Sequence, residues 1–356
     1  MRIIEIIPTL QVGGAERFVV DISNTFANKG NEVILVTLFD KTPEHVFEND
    51  LLDVKRVELH KRKGLDIKCL LRVLNCIKHE KPEIVHSHGE ATKYLFLSAL
   101  FYRKCHYYAT IHSDAKFDSG NGFNFLIRSF LYKLNLVSPV TISIASRNSF
   151  SRLFGIYAPL IENGCKAYVR TCQPMPDYRI GVDYLFIHVA SIQQVKNQVV
   201  LIEAFERILV SGVKARLLFL GRPHDISIFE TLKGHWSESI VYLGERANTR
   251  DYMCQADAFC LTSTVEGMPM TVIEALSVGC PTITTPAGGC VNIVKDGFNG
   301  FLSDSFTVSS YVGALERFIS LSDKERRVIK SNAKKSFDDL YDISITANRY
   351  LSLFGS

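Results

Sequence analysis

The sequence predicts two doubly wound, Rossmann-like α/β domains in tandem, and three observations carry that expectation. The chain has 356 residues, more than one hydrophobic core serves, since single cores stop growing near ~250 to 300 residues. Short apolar runs alternate with amphipathic helical stretches, the pattern of a mostly parallel sheet covered by helices on both faces. The alternation lapses once near the middle and then restarts.

The first run, Ile3 to Ile7, reads as a strand, followed by a turn at Gly13-Gly14 and a helix whose Phe18, Val19, Ile22 and Phe26 share one face. Gly30 stops that helix. Val33 to Leu38, Ile84-Val85, Tyr107 to Ile111 and Val140 to Ile144 are further strand runs, with helical stretches such as Leu70 to Ile77 and Tyr94 to Phe101 among them. The lapse falls between Asn163 and Asp183, where Pro174, Pro176 and Gly181 mark a linker. Strands then recur at Tyr184 to Ser191, Leu217 to Leu220, Ile240 to Leu243, Ala258 to Leu261 and Pro281 to Thr284, with a helix over Asn197 to Leu209. Ser322 followed by Glu325 is a capping-box signature for a helix through about Lys335. A last amphipathic stretch carries Ile345, Ala347, Tyr350, Leu351 and Phe354. The expected domains are therefore 1–165 and 184–335, joined by a linker over 166–183 and followed by a helical segment over 336–356.

Composition narrows the class. With 47% hydrophobic and 22% charged residues the chain matches a globular protein and excludes a disordered or collagen-like one. No segment has the ~18 to 20 uncharged apolar residues of a membrane-spanning helix, and the Ile3 to Ile7 run is too short for a secretory leader, so a cytoplasmic chain is expected. Nine cysteines without a Cys-x-x-Cys pair suggest neither a disulfide framework nor a zinc ribbon, and read as small core hydrophobes in a reducing compartment. The net charge of +4 is too mild to point to nucleic acid. All of the excess lies in residues 1–165, which hold 21 Lys/Arg against 17 Asp/Glu, while 166–356 hold 20 of each.

In an open α/β sheet, ligands bind beyond the carboxyl ends of the strands. The polar residues just after apolar runs are Gly13-Gly14, His88, His112, Lys196 and Glu266. The glycine pair lacks the G-x-G-x-x-G spacing, no acidic residue ends the second strand run before Asp40, and there is neither a P-loop nor an Asp-x-Asp pair. Gly13 and Gly14 suit either close approach of an anionic or sugar ligand or simply a tight strand-to-helix turn. The most informative stretch is Glu266-Gly267-Met268-Pro269-Met270-Thr271-Val272-Ile273-Glu274. Pro269 is placed like a first-turn helix proline, Gly267 permits backbone approach, and free first-turn amides suit a phosphate. A carboxylate beside a phosphate site is tolerated when its lone pairs bind hydroxyls, so Glu266 and Glu274 point to sugar and ribose. Met268 and Met270 read as packing residues. A ligand with phosphate, ribose and sugar satisfies all three features.

On these residues the sequence resembles the family 4 retaining glycosyltransferases of bacterial surface-polysaccharide synthesis, over nearly the whole chain. The resemblance rests on the E-x7-E pair Glu266 and Glu274 within EGMPMTVIEAL, followed by GCPTITTPAGG and DGFNGFL. The GGAE turn at 13–16, His112, Asn163-Gly164 and Lys196-Asn197 support it. It implies the GT-B fold: two Rossmann-like domains facing each other across a cleft, with the C-terminal helices returning to the N-terminal, acceptor-binding domain. It implies that Glu274 binds the donor ribose, and that Glu266 with the following backbone amides holds the sugar, the donor contacts running over Gly267, Met268, Pro269 and Met270. Lys196 would neutralise the diphosphate, a role that the developing leaving-group charge also demands. Gly13, Gly14, Ser191 and Arg222 join the expected donor contacts; Glu16, His88 and His112 lie on the acceptor side, with His112 contacting the transferred sugar. The catalytic set is then His112, Glu266 and Lys196, with no metal and no cofactor beyond the nucleotide-sugar co-substrate. Two positions depart from the family: Ser191 where many members carry arginine, and Asn292 where many carry an acidic residue. Arg222 or Arg246 would offset the first, or both are solvated surface residues.

Basic residues Lys55-Arg56, Lys61-Arg62-Lys63 and Lys68, and the mixed aromatic and basic stretch Phe123, Phe125, Arg128, Phe130, Tyr132 and Lys133, suggest an anionic membrane surface as a further partner. The expected activity is metal-independent transfer of a hexosyl or N-acetylhexosaminyl group, with retention, from a nucleoside diphosphate-sugar to a glycan or lipid-linked acceptor, in capsule, O-antigen or exopolysaccharide synthesis at the inner face of the cell membrane. A nucleotide-sugar epimerase of the same fold, and a non-catalytic nucleotide-sugar-binding subunit, are the rival readings.

Overall fold

The computed structural model describes residues 1–11, 13–42, 50–64, 66–120, 122–169 and 176–355. The chain divides into two units, Met1–Lys166 with Ile343–Ser356, and Ala167–Asp342. Residues 170–175 of the expected linker, including Cys172 and Pro174, lie outside the described residues.

The first unit holds a six-stranded parallel sheet of β1 (Arg2–Ile7), β2 (Glu32–Thr37), β3 (Lys55–Glu58), β4 (Ile84–His88), β5 (His106–Ile111) and β6 (Ser138–Thr141). Its spatial order is β3-β2-β1-β4-β5-β6. The inner strands are apolar and buried on both faces, as helix-covered parallel strands must be. Ile4, Ile6, Ile34, Val36, Val85 and Ala109 join one core with the helix side chains Val73 and Ile77. The helix Ile343–Phe354 belongs to this unit, packing Phe354 against Phe26 and Tyr108.

The second unit repeats the topology with β7 (Tyr184–Val189), β8 (Ala215–Leu220), β9 (Ile240–Gly244), β10 (Ala258–Leu261), β11 (Thr282–Thr284) and β12 (Gly300–Leu302), in the order β12-β11-β10-β7-β8-β9. Both orders are the doubly wound one, in which the strand order reverses between the first and fourth strands of the unit. The reversals fall between β1 and β4, and between β7 and β10. Each unit is the Rossmann-like domain that the sequence leads one to expect.

The structure corrects several element boundaries. Ile144 is not in a strand: β6 ends at Thr141, and Ile144 begins a helix to Phe154 because Ser143 and Ser146 form a reciprocal capping box. The stretch from Tyr94 begins as the end of a 3-10 helix, Gly89–Leu95, and becomes α-helical only over Phe96–Phe101. The capping box at Ser322 and Glu325 is present and opens the helix Asp323–Ser336. Six of the eight described cysteines are buried, while Cys254 is exposed and Cys76 half-buried.

Candidate functional site

In the second unit the chain leaves β7 through half-buried Ser191 and reaches Lys196 in a 3-10 turn, Gln194–Lys196. It leaves β10 through Thr262 and Ser263 and reaches Glu266. The two loops are bound together across the reversal point. Lys196 Nζ donates to Glu266 Oε1 at 2.7 Å, with the two side chains 20% and 9% exposed. Buried Ser263 donates from Oγ to the same oxygen at 2.6 Å. Thr262 Oγ1 donates to the carbonyls of Lys196 and Asn197 at 3.1 and 3.0 Å. Both side-chain bonds end on Oε1, and among the described residues no hydrogen bond reaches Oε2.

The glycine pair Gly288-Gly289 is a backbone abutment for this loop. Gly288 has φ 44°, and a Cβ there would lie 1.8 Å from the Glu266 carbonyl oxygen; one on Gly289 would lie 2.2 Å from that of Gly267. Any side chain would push the 266–267 backbone away. Gly221, with φ 155°, likewise lets the chain beyond β8 approach Ala190, just before Ser191.

Pro269 is the N-cap of the helix Met270–Ser277, one position earlier than the first-turn placement the sequence suggests. Its φ of −70° and ψ of 112° are extended and direct the chain into the helix. The amides of Met270 and Thr271 meet no carbonyl among the described residues, the state a helix start leaves them in. Met268 and Met270 are buried, so only their backbones are presented. Glu274 is half-buried on the same helix. The carbonyl of Ser191 accepts from Gln198 Nε2 at 2.8 Å. Arg222 is exposed beyond β8, and Asn292 is half-buried.

In the first unit, Gly13 caps the helix Gly14–Asn28 in extended conformation, and the Glu16 side chain folds back until Oε2 would be 2.1 Å from a Cβ on Gly13. Burial raises the pKa of the Glu16 carboxyl. His112 follows β5 directly; its backbone amide donates to Asp118 Oδ2 at 3.1 Å. Its Nε2 lies 2.9 Å from Nδ1 of His88, the last residue of β4. The other nitrogen of His88, Nε2, lies 2.6 Å from Glu5 Oε2 in β1. Burial, reinforced by His86, pushes the His88 imidazole down to about 4, and burial with His88 holds His112 well below its ordinary value. Desolvation works against the Glu5 carboxylate, but the contacts of His86 and His88 outweigh it and keep its pKa lowered.

Sequence reading missed Glu5, Ser263 and the abutting role of Gly288-Gly289. Glu5 had a visible signal, a single carboxylate inside the run IIEII, which has to find buried partners. The aromatic and basic stretch is also corrected: Arg128 and Tyr132 are buried, Arg128 donating to Asp118 Oδ1 and to the Gly89 carbonyl, each at 2.7 Å. Phe117, Phe123 and Leu126 are exposed, as are Arg62, Lys63, Lys68 and Lys133. Lys55 pairs with Glu80 at 2.8 Å, and Lys61 Nζ donates to the carbonyls of Arg62 and Gly64. No helix among the described residues is long and apolar enough to cross a membrane.

Two family models match the chain: Glycosyltransferase Family 4 over residues 12–165 and Glycosyl transferases group 1 over residues 178–336. The N-acetyl-alpha-D-glucosaminyl L-malate synthase of Bacillus anthracis is 26% identical over 160 residues, 44% of this chain and 41% of that protein. The N,N'-diacetylbacillosaminyl-diphospho-undecaprenol alpha-1,3-N-acetylgalactosaminyltransferase of Campylobacter jejuni is 27% identical over 154 residues, 43% of this chain and 40% of its own length. The match thus spans about two fifths of these curated relatives. Among solved structures, a glycosyltransferase from Rickettsia africae superposes with a TM-score of 0.83 at 16% identity, covering 99% of this chain and 97% of its own. Anabaena HepE in complex with UDP and glucose superposes with a TM-score of 0.83 at 18% identity, covering 100% and 99%.

Proposed function

The chain belongs to the family 4, group 1 glycosyltransferases, and we propose that it moves a hexosyl or N-acetylhexosaminyl group, with retention, from a nucleoside diphosphate-sugar to a glycan or lipid-linked acceptor in surface-polysaccharide synthesis. The observation that carries the reading is the Lys196–Glu266 pair at the strand-order reversal of the second unit. It brings a cation and a carboxylate together beside the helix that carries Glu274, the combination a sugar diphosphate needs.

In this reading Lys196 takes the diphosphate, helped by the amides of Met270 and Thr271, and Glu266 turns to the sugar hydroxyls. Glu274 accepts from the ribose hydroxyls, and His112 contacts the transferred sugar. Gly13-Gly14, Ser191 and Arg222 complete the donor contacts, and Glu16 lies on the acceptor side; His88, expected there too, is buried with both ring nitrogens engaged and backs His112 instead. The bond from the anomeric carbon to the phosphate oxygen breaks as the acceptor oxygen bonds to that carbon on the same face. The acceptor's proton passes to the departing phosphate. Fixed cations and amides supply the leaving-group stabilisation, so no metal or further cofactor is required.

The names of relatives support the acceptor: the Campylobacter jejuni protein is named for a diphospho-undecaprenol-linked substrate. The exposed Phe117, Phe123 and Leu126, with Arg62, Lys63 and Lys68, support adsorption at an anionic membrane face, where such an acceptor lies. The test is a panel of nucleotide-sugars offered with lipid-diphosphate-linked sugars in a chelator. Transfer to an acceptor, with the product linkage in the donor's anomeric configuration, is expected. Binding without turnover across the panel, inversion, or activity restored only by added magnesium or manganese would each overturn part of the reading.

A further inference from the structure

Glu5 is fully buried in the middle of β1, between Ile4 and Ile6. An isolated carboxylate there would be strongly disfavoured, so its partners decide its state. Both are histidines of the adjacent strand β4: His86 Nδ1 lies 3.1 Å from Oε1, and His88 Nε2 lies 2.6 Å from Oε2. Each ring is engaged at its other nitrogen as well. His86 Nε2 lies 2.7 Å from Thr110 Oγ1, which lies 2.8 Å from the hydroxyl of Tyr350 on the C-terminal helix. His88 Nδ1 lies 2.9 Å from His112 Nε2. Phe18 packs edge-on against both His88 and His112, at centroid distances of 6.2 and 5.8 Å.

Along the branch from Glu5 through His88 to His112, one assignment of protons satisfies every contact. An ionised carboxylate only accepts, so the nitrogens facing it, His86 Nδ1 and His88 Nε2, carry hydrogen. A neutral imidazole carries one hydrogen, so His88 Nδ1 is bare and accepts from His112 Nε2–H. On the other branch the contact of His86 Nε2 with Thr110 is satisfied in either direction, because the Thr110 hydroxyl both donates and accepts and Tyr350 can fill its other role. His112 Nδ1 is then also bare, and it has no protein partner among the described residues. The depressed basicity of His88 and His112 agrees with both rings being neutral.

We propose that Glu5 and His88 are positioning residues that hold His112 as its Nε2–H tautomer, so that Nδ1 is presented as a hydrogen-bond acceptor for a hydroxyl of the transferred sugar. The inference rests on the assignment of His112 to the sugar. It selects a ligand that donates at this point: a hydroxyl is received, whereas a carbonyl or phosphate oxygen meets a lone pair. The order runs from the carboxylate outwards, so its origin lies two residues away from the sugar contact.

Glu5, His86 and His88 also bring three ligand-type atoms together, but the direct contacts oppose a metal. A zinc ion bonded at about 2.0 to 2.1 Å to both Glu5 Oε2 and His88 Nε2 would subtend only roughly 80° across their 2.6 Å separation, far from a tetrahedral angle. A shared proton fits that separation.

The test uses the full chain labelled with 15N in its histidine rings, with His112 assigned by comparison with His112→Asn. Long-range nitrogen–proton correlation spectra at pH 7.5 are expected to show His112 protonated at Nε2 and bare at Nδ1, and His88 likewise. In Glu5→Gln the amide can donate to His88, which releases the order, so His112 should gain Nδ1–H. With transfer assayed in parallel, kcat should fall about tenfold while KM for the donor stays within about twofold, as loss of one oriented hydrogen bond implies. A wild-type His112 protonated at Nδ1, a Glu5→Gln spectrum unchanged at His112, or stoichiometric zinc with both Glu5-facing nitrogens bare would overturn the proposal. So would a shifted tautomer with unchanged kcat. The wild-type spectrum decides the proton order even if the variant fails to fold. If the wild type transfers no sugar, the functional reading fails while the spectrum still judges the proton order.

Discussion

Replacing Lys196 by methionine keeps most of the side-chain volume and removes the cation 2.7 Å from Glu266. Two losses follow, and they are separable. At that distance and an effective dielectric constant of about 20, the attraction is roughly 6 kcal/mol before the cost of drying both groups. Truncating one partner of a buried pair costs about 3 to 5 kcal/mol. Because 20% of the lysine side chain is exposed, water reaches the stranded carboxylate and Ser263 still serves it, so a stability loss of about 1 to 3 kcal/mol is expected. The catalytic loss is larger: removing a preorganised charge from a developing anion lowers kcat by about 10² to 10³. The assay is release of nucleoside diphosphate at saturating donor and acceptor, with urea unfolding of the same preparations. The double variant Lys196→Met with Glu266→Gln should recover stability, since no charge is stranded, but not turnover. A Lys196→Met enzyme within threefold of wild-type kcat would refute the assignment of the diphosphate to this lysine.

Burial holds His88 in the first unit and His188 in the second down to about 4. Their folded values lie below the unfolded one near 6.5, so each contributes stability that is complete above pH 6.5 and lost as pH falls through 4. Each is worth about 3 kcal/mol, and urea midpoints that stay flat between pH 7.5 and 4 would contradict it. Gly288→Ala should raise the donor dissociation constant at least tenfold by displacing the Glu266 backbone, whereas Gly313→Ala, with open space around it, should leave binding unchanged; isothermal titration compares them. Co-sedimentation should be stronger with anionic than with neutral vesicles, weaken with salt, and fall in a variant with Arg62, Lys63 and Lys68 all changed to alanine. Equal pelleting with both vesicle types would remove the membrane face from the account.

The parts of the fold legible in the sequence are those whose burial is two-sided. β1, β2, β5, β7 and β8 are inner or near-inner strands and read as apolar runs. β3 does not, because it is an edge strand made of Lys55, Arg56, Val57 and Glu58, and its charges look like a surface cluster. β12 is three residues long and begins with glycine, too short to show a period. Ile144 continues an apolar run in sequence, but Ser143 caps a helix there, and the cap prevails over the run. At the site, Lys196 and Glu266 were visible because each follows a strand. Their contact was not, because 70 residues separate them and the parallel crossovers that unite them have no local signal. Ser263 and Gly288-Gly289 were hidden for the same reason: their role is set by backbone approach from another loop.

Binding of a nucleoside diphosphate-sugar to the second unit through Lys196, Glu266 and Glu274 is the proposal on which the functional reading stands. Isothermal titration of a donor panel into the full chain, in a chelator, with wild type beside Glu274→Ala and Lys196→Ala, tests it most directly. Saturable binding of at least one nucleotide-sugar is expected, weakened in Glu274→Ala by about tenfold through loss of the ribose contact and weakened also in Lys196→Ala through loss of the diphosphate contact. Wild-type affinity in both folded variants, or no binding of any nucleotide-sugar by the wild type, would contradict it.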